Sequence, residues 1–236
     1  MATSDHPVLL ITGASSGIGA ATARAAASGH RLVLAARRLE KLEELATQLG
    51  GEERALPVRC DVTEWDQVEA LVAAALERFG RIDAVFANAG FGATRGFLEE
   101  SPEFWRSMVL TNVYGTALTI RATLAHLLER GEGHFVITSS VAGRRALPGS
   151  LYSATKWATT AIGEALRQEL RQMHDNQAIR VTLIEPGMTD TPFFENRPGD
   201  WALRDDDIAR AVMFALEQPR GVDVNEMLIR PTSQAS

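Results

Sequence analysis

Tyr152 and Lys156 stand four residues apart in the run Leu151-Tyr152-Ser153-Ala154-Thr155-Lys156, on a strongly helical segment, so their side chains share one helix face. A free phenol has a pKa of about 10, too high for easy proton exchange at neutral pH, and a neighbouring ammonium favours the phenolate and lowers that value. The pair therefore reads as a proton donor and acceptor for an oxygen atom on a substrate. Ser139 and Ser140 end an apolar run in Thr138-Ser139-Ser140-Val141-Ala142-Gly143. A hydroxyl placed there can hydrogen-bond an oxygen whose negative charge grows during reaction.

A second constellation lies near the N-terminus. The first apolar run ends in Thr12-Gly13-Ala14-Ser15-Ser16-Gly17-Ile18-Gly19 and an Ala-rich helical pattern follows. Gly13 permits a tight turn, Gly17 and Gly19 let the backbone and helix approach a pyrophosphate, and the free N–H groups at the helix start meet its charge. An acidic residue at the end of the next strand would accept hydrogen bonds from a ribose 2′-OH; this chain has Ala35-Ala36-Arg37-Arg38 there instead. A guanidinium grips a 2′-phosphate bidentately and stacks on adenine, so the expected cofactor is NADP(H), with Arg37 the first choice and Arg38 the second. The plainer alternative is a solvated Arg pair on a loop.

These residues need elements to hold them. Apolar runs at 8–12, 32–36, 56–60, 84–87, 134–138, 181–184 and 227–229 read as strands buried on both faces. Helical patterns fall near 17–28, 39–49, 64–79, 102–130, 151–174 and 205–218, where Asp205-Asp206-Asp207 favours a helix start. Such alternation implies an α/β fold: one doubly wound parallel sheet of about seven strands with helices on both faces. Ligands of such sheets bind beyond the carboxyl ends of the strands, where the distinctive residues fall.

Length and composition narrow the rest. The 236 residues fit one domain, residues 1–236. No apolar run suits a membrane helix and no secretory signal is visible. A net charge of −6 argues against nucleic-acid or anionic-membrane partners. Cys60 is the single cysteine, which forbids an intrachain disulfide and fits a reducing, cytoplasmic setting. His6, His30, His126, His134 and His174 are scattered without ligand spacing, so no metal is expected.

The run Thr-Gly-x-x-x-Gly-Ile-Gly, followed in order by Asp61, Asn88-Ala89-Gly90, Asn112, Ser140, Tyr152-x-x-x-Lys156 and Pro186-Gly187, resembles the classical short-chain dehydrogenase/reductase family over about the whole chain. The resemblance implies a Rossmann fold and an oxidoreductase that interconverts a secondary alcohol and a ketone, as an alcohol dehydrogenase or carbonyl reductase. It implies cofactor contacts at Gly13, Ser15, Ser16, Gly17, Ile18, Gly19, Arg37, Arg38, Asp61, Val62, Asn88, Ala89, Gly90, Tyr152, Lys156, Pro186, Gly187, Thr189 and Thr191. Asp61 would accept from the adenine amino group, though with Thr63 it also reads as a helix-start signal. Ala87 stands where the family more often has a first Asn, which leaves Asn88 to tie neighbouring strands. The implied catalytic set is Asn112, Ser140, Tyr152 and Lys156, with Asn112 at a helix distortion that holds a water leading to the lysine. Ser-x-x-Gly favours Ser140; the spacing of 12 to Tyr152 is one shorter than is common, and Ser139 is the fallback.

The resemblance also implies a homo-oligomer, dimer or tetramer, through the long helix before Tyr152 and the Trp157–Leu170 face. The expected substrate is a small carbonyl or alcohol molecule beneath a short lid near 192–207, containing Phe193, Phe194, Glu195, Asn196, Arg197 and Trp201. The tail Asn225–Thr232 resembles the subgroup acting on 3-hydroxy acids and serine, and Arg144 or Arg145 is a candidate for a carboxylate. A non-catalytic NADP(H)-binding regulator is the alternative from another class; such relatives generally lose the Tyr or Lys kept here.

Overall fold

The computed structural model describes residues 6–191 and 198–234. β1 (Val8–Thr12) is buried at all five positions, as expected of a strand covered on both faces. It leads into α1 (Gly17–Ala26), β2 (Arg31–Ala36), α2 (Leu39–Gln48), β3 (Ala55–Arg59), α3 (Trp65–Phe79) and β4 (Ala84–Ala87). Next come α4 (Pro102–Val109), α5 (Gly115–Arg130), β5 (Gly133–Thr138), α6 (Leu151–Gln172), β6 (Ile179–Pro186), the short pair β7 (Thr189–Asp190) and β8 (Leu203–Arg204), α7 (Asp205–Leu216) and β9 (Glu226–Ile229).

Seven strands form one parallel sheet in the order β3-β2-β1-β4-β5-β6-β9. The chain winds from β1 out to β3, then returns to β4 on the other side of β1. Strand order therefore reverses between β1 and β4, and their carboxyl ends splay around the crevice that such folds use for ligands. One apolar layer, with Val68, Leu71, Leu127 and Leu166, lies between the sheet and α3, α5 and α6. The other, with Ala23, Leu42, Ile208 and Val212, lies beneath α1, α2 and α7. The expected single-domain Rossmann architecture is thus present. The aspartates at the start of α7 act as expected: Asp207 Oδ2 accepts from the Arg204 N–H at 2.8 Å, and that bond holds the carboxyl below its ordinary range.

Two expectations need correction. The continuous helix read over 102–130 is two helices joined by a π-turn at Leu110–Tyr114. Asn112, buried in that turn, explains it. Its Nδ2 donates to the Phe91 carbonyl at 2.9 Å and to Thr155 Oγ1 at 3.1 Å, and its Oδ1 accepts from the Phe91 N–H at 3.0 Å. These bonds compete with regular helix geometry, and π-turns of this kind mark functional sites. The sixth strand is also longer than 181–184, because pairing with both β5 and β9 extends it to Pro186.

Candidate active site

At the carboxyl ends of β1, β4, β5 and β6 lies a cleft of about 770 Å³. One end is made by the Gly-rich turn. Ser16 precedes α1 without capping it through its side chain, so the first backbone N–H groups of α1 remain free for an anion. Gly13 and Gly17 hold positive φ angles of 68° and 54° and line the cleft with Ser15, Ser16 and Ile18. Gly19 does not. A Cβ there would lie 2.4 Å from the Gly13 carbonyl oxygen, so it is needed where helix and turn pack together, behind the cleft wall.

The arginine pair divides its work in an unexpected way. Arg38 Nη2 donates to Ser15 Oγ at 3.0 Å and to Ser16 Oγ at 3.1 Å, which ties it to the turn. Arg37 lines the same end of the cleft and is exposed. The second choice from sequence is the better organised of the two. Asp61 and Val62 line this end as well. Asp61 Oδ1 is occupied by the N–H and hydroxyl of Thr63, at 3.0 and 2.9 Å, so the residue does shape the local turn. Free helix N–H groups, hydroxyls and two guanidinium groups form a donor set that fits the phosphates of a dinucleotide, including one on the 2′-oxygen.

The middle of the cleft is braced across three strands. Thr12 Oγ1 accepts from the N–H groups of Asn88 and Ala89, at 3.1 and 3.2 Å. Asn88 Nδ2 donates to the Thr12 carbonyl at 3.2 Å, and its Oδ1 accepts from Thr138 Oγ1 at 3.0 Å. Thr138 in turn offers its carbonyl to Lys156 Nζ at 2.8 Å. Asn88 thus ties the tips of β1, β4 and β5 together, and the last link carries that order to Lys156. Ala89 and Gly90 line the wall beside them.

The other end of the cleft is set by the first two turns of α6. Ser150 caps the helix, its Oγ accepting from the Ser153 N–H at 3.2 Å. Tyr152 follows at once and Lys156 one turn later, with Nζ 5.7 Å from the centroid of the Tyr152 ring. The two serines part company here. Ser139 Oγ turns into α6, against the Lys156 carbonyl at 3.1 Å and Thr160 Oγ1 at 2.7 Å. Ser140 stays with the cleft, and its side chain hydrogen-bonds Tyr152. Of the two serines, Ser140 is the one whose hydroxyl meets Tyr152.

The expected depression of the phenol pKa is corrected. Burial pushes Tyr152 up to about 12, and the bond to Ser140 only partly offsets this. Burial also pushes Lys156 down to about 8. Desolvation penalises both charged forms and is the largest cause of each shift. Asn112 occupies the helix distortion expected of it. It lies behind the wall with its side chain committed to Phe91 and Thr155, so it is a positioning residue.

Pro186, Gly187, Thr189 and Thr191 close the cleft after β6. Sequence reasoning missed their partner. Gln234 reaches back from beyond β9, and its Oε1 accepts from the Met188 N–H at 2.9 Å. A Cβ on Gly187 would lie 2.4 Å from that oxygen, so the glycine makes room for the tail. Gln234→Ala is expected to weaken dinucleotide binding by about three- to tenfold, the worth of one hydrogen bond. A fluorescence titration would read this, and an unchanged dissociation constant would remove Gln234 from the site.

Arg144 is not available to a substrate carboxylate. Its Nε donates to the buried Glu185 carboxylate at 2.7 Å, and its Nη2 pairs with Glu226. Arg145 is exposed on the loop beyond. Trp157 is exposed on α6, whereas Trp105 packs edge-on against Phe97. Of the lid, residues 192–197 lie outside the described residues, and Trp201 is exposed. Among the described residues no cluster of three metal-ligating side chains occurs, and no helix is long and apolar enough to cross a membrane.

The family model described as short chain dehydrogenase matches residues 7–200. An uncharacterized oxidoreductase of Listeria monocytogenes is 38% identical over 247 residues, covering 98% of this chain and 99% of the relative. Among solved structures, an alcohol dehydrogenase of the archaeon Thermococcus sibiricus complexed with 5-hydroxy-NADP is 34% identical with a TM-score of 0.89, covering 98% of this chain and 99% of the other. A closed form of serine dehydrogenase complexed with NADP+ is 29% identical with a TM-score of 0.90, covering 97% and 96%. A 3-ketoacyl-(acyl-carrier-protein) reductase of Brucella melitensis complexed with NADH is 31% identical with a TM-score of 0.84, covering 94% and 96%.

Proposed function

Because the chain belongs to the short-chain dehydrogenase family, we propose that it is an NADP(H)-dependent alcohol dehydrogenase or carbonyl reductase, interconverting a secondary alcohol and a ketone with Tyr152 as general acid and base. The observation that carries this reading is the hydrogen-bonded pair of Ser140 and Tyr152 on the cleft wall, with the Lys156 ammonium behind the phenol. The nicotinamide cofactor, when bound, supplies or accepts the hydride. Ser140 and Tyr152 hold the substrate oxygen between two hydroxyls and stabilise its growing charge. In reduction the Tyr152 hydroxyl gives its proton to that oxygen; in oxidation it takes the proton back. Lys156, fixed by the Thr138 carbonyl, keeps a positive charge beside the phenol and steadies the phenolate that proton donation leaves.

The reading is tested by following reduced-nicotinamide absorbance with NADPH and a panel of neutral ketones and oxo acids. Turnover of at least one class is expected. NADPH binding with no consumption across the panel would instead favour a regulator.

The choice of NADP(H) over NAD(H) rests on the guanidinium pair and the absence of a carboxylate at the end of β2. Arg38→Ala is expected to raise the KM for NADPH about 10–100-fold, with a much smaller effect on NADH, because a charge-assisted contact to the 2′-phosphate is lost. Equal effects on both coenzymes would refute the assignment. Arg37→Ala should act in the same direction. Within this chemistry, the likeness to a serine dehydrogenase favours a 3-hydroxy acid or serine as the second reading.

Exposed Tyr114 in the turn before α5, with exposed Trp157, Ala161 and Ala165 on α6, supports self-association as a dimer or tetramer. The lone buried thiol of Cys60, pushed up to about 11 by burial, is compatible with a cytoplasmic setting.

A further inference from the structure

The residues that suit a dinucleotide run from Arg37 and Arg38 to Thr191. The rest of the cleft has a different character. Its lining mixes the apolar Phe91, Phe104 and Leu147 with the polar Ser107 and Thr111, and includes Arg95. Among the described residues, the charged groups lining the cleft are Arg37, Arg38, Asp61, Lys156 and Arg95. Asp61 stands at the opposite, β3 end, so among the described residues the exposed Arg95 is the one charged group lining this part of the cleft, and no carboxylate lines it.

Arg95 is also on a braced loop. Asn112 holds both backbone groups of Phe91, and the Phe91 ring packs edge-on against Phe104 with centroids 5.4 Å apart. The Thr94 N–H donates to Glu100 Oε1 at 2.8 Å, and the Gly96 N–H donates to the Gly149 carbonyl at 2.8 Å. The nearest acids in sequence, Glu99 and Glu100, are turned to their own loop: Glu100 takes the Thr94 N–H, and Glu99 lies against Gly96. Arg95 itself has no ion pair among the described residues.

We propose that Arg95 forms an anion subsite at the outer end of the cleft, and that the preferred substrate is a carbonyl compound bearing a carboxylate beyond an apolar body. This rests on the reading of Ser140 and Tyr152 given above. A single planar guanidinium matches the two oxygens of a carboxylate, whereas a phosphate ordinarily gathers several donors. Phe91, Phe104 and Leu147 suit the carbon chain between the reacting carbonyl and the charge. The chemistry recognised is therefore an oxo acid or hydroxy acid whose carboxylate is several bonds from the reacting carbon.

The test compares 5-oxohexanoate with its methyl ester as substrates, using NADPH and the intact protein. The native enzyme should favour the acid by about tenfold or more in kcat/KM, as expected for a charge-assisted pair. In Arg95→Ala that acid-to-ester ratio should fall about tenfold, and Arg95→Lys should restore part of it. High salt should shrink the native ratio, since the pair lies near solvent. A native preference for the ester, or a ratio unmoved in Arg95→Ala, would overturn the subsite while leaving the enzyme reading intact. Calorimetric titration with hexanoate, with and without NADP+, tests the subsite independently of turnover. Binding lost in Arg95→Ala supports it, and equal binding by both proteins overturns it. If no carbonyl compound consumes NADPH, the enzyme reading fails, and the hexanoate titration still decides the role of Arg95.

Discussion

Tyr152→Phe is expected to lower kcat by about 10³–10⁴-fold, the upper range for loss of a positioned general acid, while NADPH still binds. The substitution removes one oxygen and keeps the ring against Lys156, so the shape of the cleft changes little. Ser140 remains to orient the substrate oxygen, but its hydroxyl has no titrating partner to deliver a proton. Single-turnover kinetics with a reactive ketone, beside a fluorescence titration with NADPH, would separate chemistry from binding. A variant that retained turnover within about tenfold of the native enzyme would exclude Tyr152 as the principal proton donor.

Lys156→Met is expected to cost at least about 10²-fold in turnover, because the phenolate loses its neighbouring charge. It should also change how stability responds to pH. An unfolded lysine keeps its proton up to its ordinary pKa of 10.5, whereas the buried Lys156 releases it at about 8. Between these values the unfolded chain binds more protons, so native stability rises with pH through that window and is lower below it. From pH 7.5 to 9.5 the native protein should gain about 2 kcal/mol that the variant does not gain. Tyr152 works in the other direction and at higher pH. Raised from 10 to about 12, it favours the fold below pH 10, and that contribution fades as pH climbs to about 12. Denaturant midpoints of both proteins at the two pH values would check this; parallel curves would show that Lys156 is not buried with a depressed pKa.

What could be read from the sequence was what lies close together along it. The Gly-rich turn, the Tyr–Lys pair and the alternation of apolar runs each occupy one short segment, and local physics dictates their form. Asn112 could be flagged as a poor helix former, but its bonds to Phe91 and Thr155 need two other elements in place. Gln234 meets Met188 only because β9 pairs with β6, and nothing near either residue announces the contact. Arg144 looked free to bind a carboxylate for the same reason: its partners Glu185 and Glu226 become neighbours only in the register of those strands. The bonds from Arg38 to the turn serines were not legible either, because Ser15 and Ser16 come beside it only through the pairing of β1 with β2. The direction of the Tyr152 shift depended on burial, which spacing along a helix does not report.

The π-turn between α4 and α5 has a bearing on how this enzyme can diverge. One additional residue in a helical path advances every side chain upstream by roughly 100° around the axis. Phe104 and Ser107, which face the cleft from α4, owe their azimuth to that offset. Deleting a single residue from Leu110–Tyr114 would swing them away from the pocket and at the same time release Phe91 and Thr155. A change of length at this hinge would thus disturb at once the α4 wall of the cleft and the bonds that tie Asn112 to Phe91 and α6.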